Sequence, residues 1–284
     1  MIEMAKPYLK KMNIGIIGQG FVGNAVYQKF KNFFRVYTYD VISEICNSTY
    51  VELIDNCNTI FVCLPTPMNK NGSCNLDLLK EVLLGLNNKT NANIVVKSTV
   101  PPGTTENFNK KFKNIQIVFN PEFLTERNAV EDFNNQNRII LGGPRPLTTN
   151  LKQIYSTVFP NAHVIKTGST HAEMIKYFTN CFLANKVSFA NEMYELCNAL
   201  ELDYDKIVEY SVLDSRLGNS HWAVPGPDGD FGFGGHCFPK DLSAIIKLSE
   251  KLKTTNNVLK STMKTNNNVR KNKDWEKMKG RAII

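Results

Sequence analysis

The residues Asn13-Ile-Gly-Ile-Ile-Gly18-Gln-Gly20-Phe-Val-Gly23 decide the fold of this chain. An apolar run ends at Gly18 and an amphipathic segment begins at residue 21, so the sequence predicts a strand, a tight turn and a helix. The glycines have the G-x-G-x-x-G spacing, in which Gly18 permits the turn, Gly20 lets a pyrophosphate approach the backbone and Gly23 lets helix and strand pack closely. This spacing in this context predicts a dinucleotide-binding site.

Three further residues complete the predicted site. The pyrophosphate of a dinucleotide binds at a helix N-terminus, where Phe21 and Val22 would line it. Asp40 ends the second predicted strand, where a carboxylate accepts hydrogen bonds from the adenosine-ribose hydroxyls. A negative charge there disfavours a 2′-phosphate, so the predicted cofactor is NAD rather than NADP.

Short β-rich runs alternate with helix-length segments over the first 168 residues. Alternation of this kind predicts an α/β fold with a Rossmann-type doubly wound parallel sheet. The predicted strands are residues 13–18, 36–40, 59–64, 93–98, 115–120 and 138–143, and the clearest predicted helices are 21–33, 76–88 and 103–113.

The pattern changes after about residue 166. From 169 to 200, apolar residues recur every three or four positions without Pro or Gly, which predicts one long helix with a broad apolar face. A face of this size predicts a homodimer paired through the helix. We therefore predict a lead at residues 1–12, an NAD-binding Rossmann domain at 13–168 and an all-helical central, dimerisation domain at 169–284. Within the last domain we expect further helices at 203–213, 239–252 and 255–272 and a Gly/Pro-rich loop at 218–235.

Charge is distributed unevenly along the 284 residues. Residues 1–246 hold 23 basic and 23 acidic residues, whereas residues 247–284 hold 11 basic and 3 acidic ones, which is the whole net charge of +8. A nucleic-acid enzyme would more often spread basic residues over a face with aromatic residues between them, so we expect no nucleic-acid partner. Two interpretations of the basic segment stay open: a solvated Lys-rich helix, or a patch that attracts anions.

The seven cysteines include no C-x-x-C pair and no zinc-finger spacing. An odd number of cysteines without such a pattern favours a reducing compartment, and we expect no metal site. No apolar segment is long enough for a leader or for a membrane span, so we expect a cytoplasmic protein without a membrane partner.

Five more motifs stand in order along the chain. They are Phe61-Val-Cys-Leu-Pro-Thr-Pro67, Lys97-Ser-Thr-Val-Pro-Pro-Gly-Thr104, Asn120-Pro-Glu-Phe-Leu-Thr-Glu126, Ala172-Glu-Met-Ile-Lys176 with Asn180, and Gly232-Phe-Gly-Gly-His-Cys-Phe-Pro-Lys-Asp241. Together with the glycine loop they closely resemble the UDP-glucose/GDP-mannose dehydrogenase family, from about Asn13 to about Arg281. The resemblance implies NAD-dependent oxidation of a nucleotide-sugar C6 alcohol to a carboxylate, with UDP-glucose to UDP-glucuronate as the expected case and two NAD+ reduced per product.

The residues around Cys237 predict a reactive thiol. Pro239 favours the first turn of a helix, so Cys237 lies just before a helix N-terminus and close to Lys240, and both features lower the pKa of a thiol. A single cysteine is more often structural, but the surrounding motif reverses that preference. Asp241 lies four residues on and shares a helix face with the thiol.

The resemblance assigns roles to residues that also have simpler explanations. Lys176 and Asn180 lie one helical turn apart, and the simpler explanation is that they belong to an exposed polar stripe on the helix. By resemblance, Lys176 stabilises an oxyanion and Asn180 positions substrate and water. Glu122 follows a strand, where an acid can simply begin a helix, but by resemblance it is the general base. The resemblance also implies a cofactor site with Pro65, Thr66, Thr99 and Glu126, and substrate contacts from Glu122, Phe123, Leu124, Lys176, Asn180 and Gly234.

The implied mechanism has two oxidation steps. The C6 hydroxyl loses its proton through a water held by Lys176 and Asp241 while hydride leaves, and Cys237 traps the aldehyde as a thiohemiacetal. A second hydride transfer gives a thioester, which water assisted by Glu122 hydrolyses, and Thr99 would contact that water or the nicotinamide.

One departure from the family keeps alternatives open. Members typically continue into a further domain that holds the nucleotide base, and residues 280–284 would form its first strand, so we expect this C-terminal nucleotide-binding domain to be absent. The first alternative is a one-step NAD-dependent hydroxyacid dehydrogenase, which has no use for Cys237. The second is an NAD-binding subunit that is inactive without a partner.

Overall fold

The computed structural model describes residues 12–284, so the predicted lead at residues 1–12 lies outside the described range except for its last residue. The chain forms two compact units. The first unit contains the residues up to Thr66 together with Leu76–Lys176, and the second contains Pro67–Asn75 and Tyr177–Ile284. The chain therefore passes between the units three times, and the domain bounds inferred from the sequence stay a prediction.

A seven-stranded sheet forms the centre of the first unit, in the order β2-β1-β3-β4-β5-β6-β7. Helices flank it, so the Rossmann-type α/β fold is confirmed. The strands are β1 (Asn13–Ile17), β2 (Arg35–Tyr39), β3 (Thr59–Val62), β4 (Asn93–Val96), β5 (Gln116–Phe119), β6 (Arg138–Gly142) and β7 (His163–Thr167).

The helices follow the predicted pattern, with several short ones added. Those of the first unit are α1 (Phe21–Phe30), α2 (Tyr50–Asn56), α3 (Asp77–Asn87), α4 (Thr104–Lys111), α5 (Ala129–Asn134) and α6 (Arg145–Val158). The long helix α7 (Ser169–Ala199) begins in the first unit and continues in the second, which also holds α8 (Tyr204–Ser211), α9 (Phe238–Lys251) and α10 (Asn257–Val269).

The expectation of a fully parallel sheet is wrong at one place. Strands β5 and β6 are antiparallel and meet at a single pair, Phe119 with Gly142, whereas all the other neighbours are parallel. The connection over residues 120–137 is long enough for either strand direction, so the sequence pattern does not reveal the reversal. Strand β7 escaped prediction because its residues are mostly exposed or half-buried and form no apolar run.

The central strands are buried on both faces of the sheet. Ile60 and Val62 pack into one apolar cluster and Phe61 packs into the other. Such strands appear in the sequence as continuous apolar runs, which is why β1, β3, β4 and β5 were predictable. The register pairs Ile17 with Val62 and Val62 with Val96, so the loops after these strands leave the sheet at one edge.

The segment Pro67–Asn75 belongs to the second unit although its sequence neighbours belong to the first. Met68 N–H donates to the Ala282 carbonyl at 2.8 Å, and Ile284 N–H donates to the Met68 carbonyl at 3.1 Å. The Ser243 hydroxyl donates to the Gly72 carbonyl at 2.9 Å. The predicted strand at 280–284 forms only isolated bridges, to Met68 and Lys279.

Residues 12–284 contain neither a helix suited to cross a membrane nor a disulfide. No helix there combines the length and the apolar character needed to cross a membrane. All seven cysteines lie in this range, and no disulfide joins any two of them.

Glu173 on α7 caps the N-terminus of α4 within the first unit. Its carboxylate accepts hydrogen bonds from Gly103 N–H at 2.6 Å and Thr105 N–H at 2.7 Å, and the side chain is fully buried. These two donors are among those that a helix leaves unsatisfied at its start.

Glu173→Ala should therefore lower the free energy of unfolding by about 2 kcal/mol, because two buried N–H groups lose their acceptor. Chemical denaturation followed by circular dichroism measures this. The matched control is Glu106→Gln, which removes an exposed charge from α4 itself and should leave stability nearly unchanged. Equal stability of the Glu173 variant and the control would contradict the capping role.

Candidate active site

The glycine loop joins β1 to α1 at the carboxyl edge of the sheet. Gly18 has φ +92°, a left-handed conformation that favours glycine, and a Cβ there would overlap the Cys63 carbonyl oxygen. A Cβ at Gly23 would overlap the Gly18 carbonyl oxygen, whereas a Cβ at Gly20 would meet no atom within 4 Å. Gly18 and Gly23 are thus required by the fold, and Gly20 leaves an open space beside the backbone.

The open space at Gly20 lies where a dinucleotide phosphate would bind. Gly20 is the N-cap residue of α1 and makes no side-chain cap, so the helix presents its positive end to this space. Phe21 and Val22 follow as the first residues of the helix. The residues present therefore fit an NAD pyrophosphate.

Asp40 reaches the glycine loop from the end of β2. One carboxylate oxygen accepts from Gln19 N–H at 2.6 Å and the other accepts from Ile42 N–H at 3.1 Å. These contacts place the carboxylate beside the loop that would hold the pyrophosphate, which is the position expected for a ribose ligand.

The loops after β3 and β4 are tied together. The Thr66 hydroxyl donates to the Thr99 carbonyl at 2.7 Å, and Leu64 N–H donates to the Ser98 hydroxyl at 2.9 Å. Thr66 and Thr99 are buried, whereas Pro65 is exposed. Two of the predicted cofactor residues, Thr66 and Thr99, are therefore joined directly by a hydrogen bond between the loops.

Glu122 and Lys176 form a buried ion pair in the first unit. Lys176 Nζ lies 2.9 Å from Glu122 Oε1 and 2.5 Å from the Glu122 carbonyl oxygen, and both side chains are almost inaccessible to solvent. Leu124 N–H donates to the other carboxylate oxygen at 2.7 Å. Burial alone would raise the pKa of Glu122, but the charge and hydrogen bond of Lys176, the Leu124 N–H and the charge of Lys97 lower it. The carboxylate is thus held in its ionised form.

The residues after Glu122 divide into two environments. The Phe123 ring is half-buried, with Lys176 Nζ 5.4 Å and the Arg138 guanidinium 4.3 Å from its centroid. Glu126 is exposed, and so is Thr125, whose hydroxyl binds Asp132 at 2.6 Å. Phe123 therefore lies with the buried pair, while Glu126 lies at the surface.

Cys237 is the N-cap residue of α9 in the second unit. The helix begins at Phe238 with Pro239 in its first turn, as the sequence predicts. Burial alone would lower the pKa of Lys240. Its neighbours Asp241, Cys237 and Cys74 nevertheless raise this pKa above its ordinary value. The thiol therefore has a buried ammonium and a helix N-terminus beside it, which are the two features that the sequence predicts.

Two other thiols have the opposite environment. Burial raises the pKa of Cys57 to about 12, and burial likewise raises the pKa of Cys63 to about 12. Neither would provide a thiolate at neutral pH, so they are poor nucleophiles.

Asp241 is the centre of a buried polar cluster in the second unit. Asn180 Nδ2 donates to Asp241 Oδ2 at 2.6 Å, and Lys240 Nζ lies 2.5 Å from Asp241 Oδ1. Asn180 and Asp241 are both buried. The structure thus brings together two predicted site residues that are 61 positions apart.

Polar side chains fix the glycine-rich loop before Cys237. Asn266, which is fully buried, accepts from Phe233 N–H at 2.6 Å and donates to the Phe233 carbonyl at 3.0 Å. Asp274 accepts from Gly235 N–H at 3.0 Å. The loop conformation that leads to Cys237 is therefore set by residues of α10 and the segment after it.

Arg270 completes this support and was missed by the sequence analysis. It is buried and pairs with Asp228 at 2.7 Å, Asp230 at 3.5 Å and Asp274 at 3.3 Å. Its side chain and Asp274 leave no room for a Cβ at Gly234. Packing thus explains that glycine, and its contact with a substrate stays a prediction. Arg270 was hidden in the basic segment, where no sequence signal separates a buried cation from a solvated one.

The predicted catalytic residues therefore fall into two groups. Thr99, Glu122 and Lys176 belong to the first unit, and Asn180, Cys237 and Asp241 belong to the second. Within each unit the structure pairs members directly, as Glu122 with Lys176 and as Asn180 with Asp241.

Comparison with known families and proteins gives consistent matches. The NAD-binding domain of the UDP-glucose/GDP-mannose dehydrogenase family matches residues 43–159, and its central domain matches residues 170–268. The glycine loop precedes the matched range, so its assignment depends on its own geometry and on the fold.

Several relatives are similar over most of this chain. A UDP-glucose 6-dehydrogenase of Rickettsia bellii is 34% identical over 77% of this chain and 51% of its own length. The UDP-glucose 6-dehydrogenase AglM of Haloferax volcanii is 37% identical over 69% of this chain and 49% of its own length. A UDP-glucose dehydrogenase structure from the archaeon Pyrobaculum islandicum has a TM-score of 0.83 at 28% identity, covering 92% of this chain and 69% of that one. The chain spans about half the length of the curated relatives it matches.

Gly20 and Gly23 give a paired test of the glycine loop. Gly20→Ala should leave stability unchanged, because the backbone at Gly20 suits any residue and a Cβ there meets no atom. The same change should weaken NADH binding about tenfold, because the methyl group fills the space for the pyrophosphate. Gly23→Ala should instead lower the free energy of unfolding by about 2 kcal/mol through overpacking. Thermal unfolding and NADH fluorescence titration measure both. Unchanged NADH affinity in the stable Gly20 variant would contradict the assignment.

Proposed function

Because the chain belongs to the UDP-glucose/GDP-mannose dehydrogenase family, we propose that it catalyses the four-electron, NAD-dependent oxidation of a nucleotide sugar, UDP-glucose to UDP-glucuronate. The observation that carries this proposal is Cys237 at the start of α9, beside the buried Lys240 and Asp241. A one-step alcohol dehydrogenase has no need of an activated thiol. The seven cysteines without a disulfide support a reducing compartment, the cytoplasm, as the place where the enzyme acts.

Cys237 is the nucleophile in this mechanism. Its Sγ bonds to the carbon of the aldehyde left by the first oxidation, and the carbonyl oxygen takes up a proton to give a thiohemiacetal. Bound NAD+ would supply the hydride acceptor at each of the two oxidations. The covalent bond retains the aldehyde between them. Asn180 positions the substrate and water, and a water held by Lys176 and Asp241 takes the proton that the C6 hydroxyl loses in the first oxidation.

Glu122 acts on the thioester that the second oxidation leaves. The carboxylate takes a proton from water as the water oxygen bonds to the thioester carbon, and Sγ leaves with the electrons of the C–S bond. Lys176 stabilises the oxyanion that forms in between. This role requires an ionised Glu122, which its ion pair with Lys176 supports.

The stoichiometry of the purified chain with UDP-glucose and NAD+ tests the proposal. Two NADH per uronate is the expected result. One NADH per oxidised product would favour a one-step hydroxyacid-type dehydrogenase, and absence of NADH would favour an NAD-binding subunit that needs a partner.

Cys237→Ser should lower uronate formation by roughly 10³-fold or more, because the covalent intermediate is lost. Uronate and NADH are measured together in the same reaction. Cys74→Ser is the matched control, since Cys74 also lies close enough to raise the pKa of Lys240 but has no assigned role. Uronate formation at the wild-type rate by the Cys237 variant would contradict the assignment of Cys237 as the nucleophile.

We also propose that the chain forms a homodimer through α7. The exposed fractions of its apolar side chains are 68% for Phe178, 58% for Phe182, 52% for Phe189 and 51% for Leu196. These positions recur at steps of four and seven, so they form one stripe along the helix. Large aromatic side chains aligned in this way are typical of a self-associating surface.

Phe182→Glu should convert the dimer to a monomer, because it places a charge in the middle of the apolar stripe. Light scattering after size-exclusion chromatography at micromolar concentration gives the mass. Phe33→Glu is the matched control, since Phe33 is another exposed phenylalanine, away from α7, and should leave the mass unchanged. A monomeric wild-type protein in this experiment would contradict the proposed dimer.

A further inference from the structure

Lys97 is a buried lysine of the first unit that the mechanism above leaves without a role. It follows β4 directly, and only 3% of its surface is exposed. Burying an ammonium group is costly unless it is paired and hydrogen-bonded, so its contacts require an explanation.

The contacts of Lys97 are made mainly to one residue. Its Nζ donates to Asn120 Oδ1 at 2.9 Å and lies 3.4 Å from the Asn120 carbonyl oxygen, and the Phe133 ring centroid is 5.6 Å away. Asn120 Oδ1 also accepts from the Tyr155 hydroxyl, and Asn120 Nδ2 donates to the Ile140 carbonyl at 2.8 Å. Two donors face the amide oxygen and an acceptor faces the amide nitrogen, so the side chain has one orientation only.

Asn120 is joined to Glu122 through Pro121. The proline ring fixes its own φ, which leaves little freedom between the anchored amide and the carboxylate. The position of Glu122 is therefore set from two sides: by Lys176, which binds its carboxylate, and by Lys97, which anchors the turn that carries it.

The same residues interact through their charges. Burial lowers the pKa of Lys97 to about 8, the neighbouring Cys63 and the charge of Glu122 raise it, and the charge of Lys176 lowers it. In return, Lys97 is one of the groups that lower the pKa of Glu122. Lys97, Lys176 and Glu122 are thus two cations and one carboxylate buried in the same unit.

We propose that Lys97 is a positioning residue for Glu122, fixing the Asn120-Pro121-Glu122 turn through the Asn120 amide and adding a second positive charge that keeps the carboxylate ionised. This inference depends on the proposed role of Glu122 as general base. Only the ionised carboxylate accepts a proton from water, so the charge of Lys97 matters for the rate as well as for the geometry.

The electrostatic part can be tested without substrate. In the full chain labelled with 13Cε-lysine, the Lys97 signal, assigned by its loss in Lys97→Met, should titrate near pH 8 rather than near the ordinary 10.5. Glu122→Gln removes a charge that favours the ammonium, so it should move this midpoint to lower pH. A Lys97 midpoint that Glu122→Gln leaves in place would overturn the proposal.

Kinetics test the positioning part. Lys97→Met should lower kcat for uronate formation about tenfold with little change in KM. It should also move the acid limb of the kcat profile to higher pH, because Glu122 loses a cation that lowers its pKa. Lys97→Gln keeps a donor to Asn120 but not the charge, so it should show the same shift of the acid limb with a smaller loss of kcat. An unchanged acid limb in both variants would overturn the proposal.

Tyr155→Phe is the matched control. It removes the other hydrogen bond to Asn120 Oδ1 without changing any charge, so the acid limb should stay where it is in the wild type. A wild-type chain that makes no uronate would refute the proposed function, and the lysine titration would still decide whether Lys97 and Glu122 interact. An active wild type with an unaltered Lys97→Met variant would refute only the role of Lys97. If that variant does not fold, loss of the signal in Lys97→Gln assigns it, and the titration in wild type and Glu122→Gln is decisive.

Discussion

The first unit depends on the hydrogen bonds of one buried amide. Strands β5 and β6 share a single antiparallel pair, which is a weak connection between the five parallel strands on one side and the two on the other. Asn120 lies at this junction, and its side chain donates to β6 and accepts from Lys97 and from Tyr155 on α6. Buried polar networks of this kind specify a unique arrangement when every member is satisfied. The same amide stabilises the sheet and sets the turn that carries Glu122.

The sequence predicted those parts of the fold that depend on local pattern. The strand, glycine loop and helix at residues 13–30 were predictable because burial on both faces and a tight turn restrict the residue types. The direction of β6 and the existence of β7 were not, because both depend on tertiary pairing. Of the candidate site, the sequence indicated the residues and their roles by resemblance. The bond between Asn180 and Asp241, and the anchoring by Lys97, became visible only in three dimensions.

Charge illustrates why composition alone is a limited guide. Lys97, Lys176, Lys240 and Arg270 count in the sequence like any other basic residues, yet all four are buried and each has polar partners. Three of them contact a residue or loop assigned to catalysis, and Arg270 supports the loop before Cys237. A buried cation has to be matched by fixed acceptors, so it orders the chain around it. The exposed lysines of residues 247–284 carry no such constraint.

The segment Pro67–Asn75 has a consequence for how the protein is made. Its backbone pairs with residues 282–284, and its Gly72 carbonyl binds Ser243, so these contacts join positions about two hundred residues apart. Contacts with such long sequence separation form late, because the loop between them has to close first. On a ribosome, the second unit would remain incomplete until residues 282–284 had emerged, while the strands of the first unit could already pair. The two units therefore cannot be separated by cutting the chain at a single position, because the second unit is built from two separate segments.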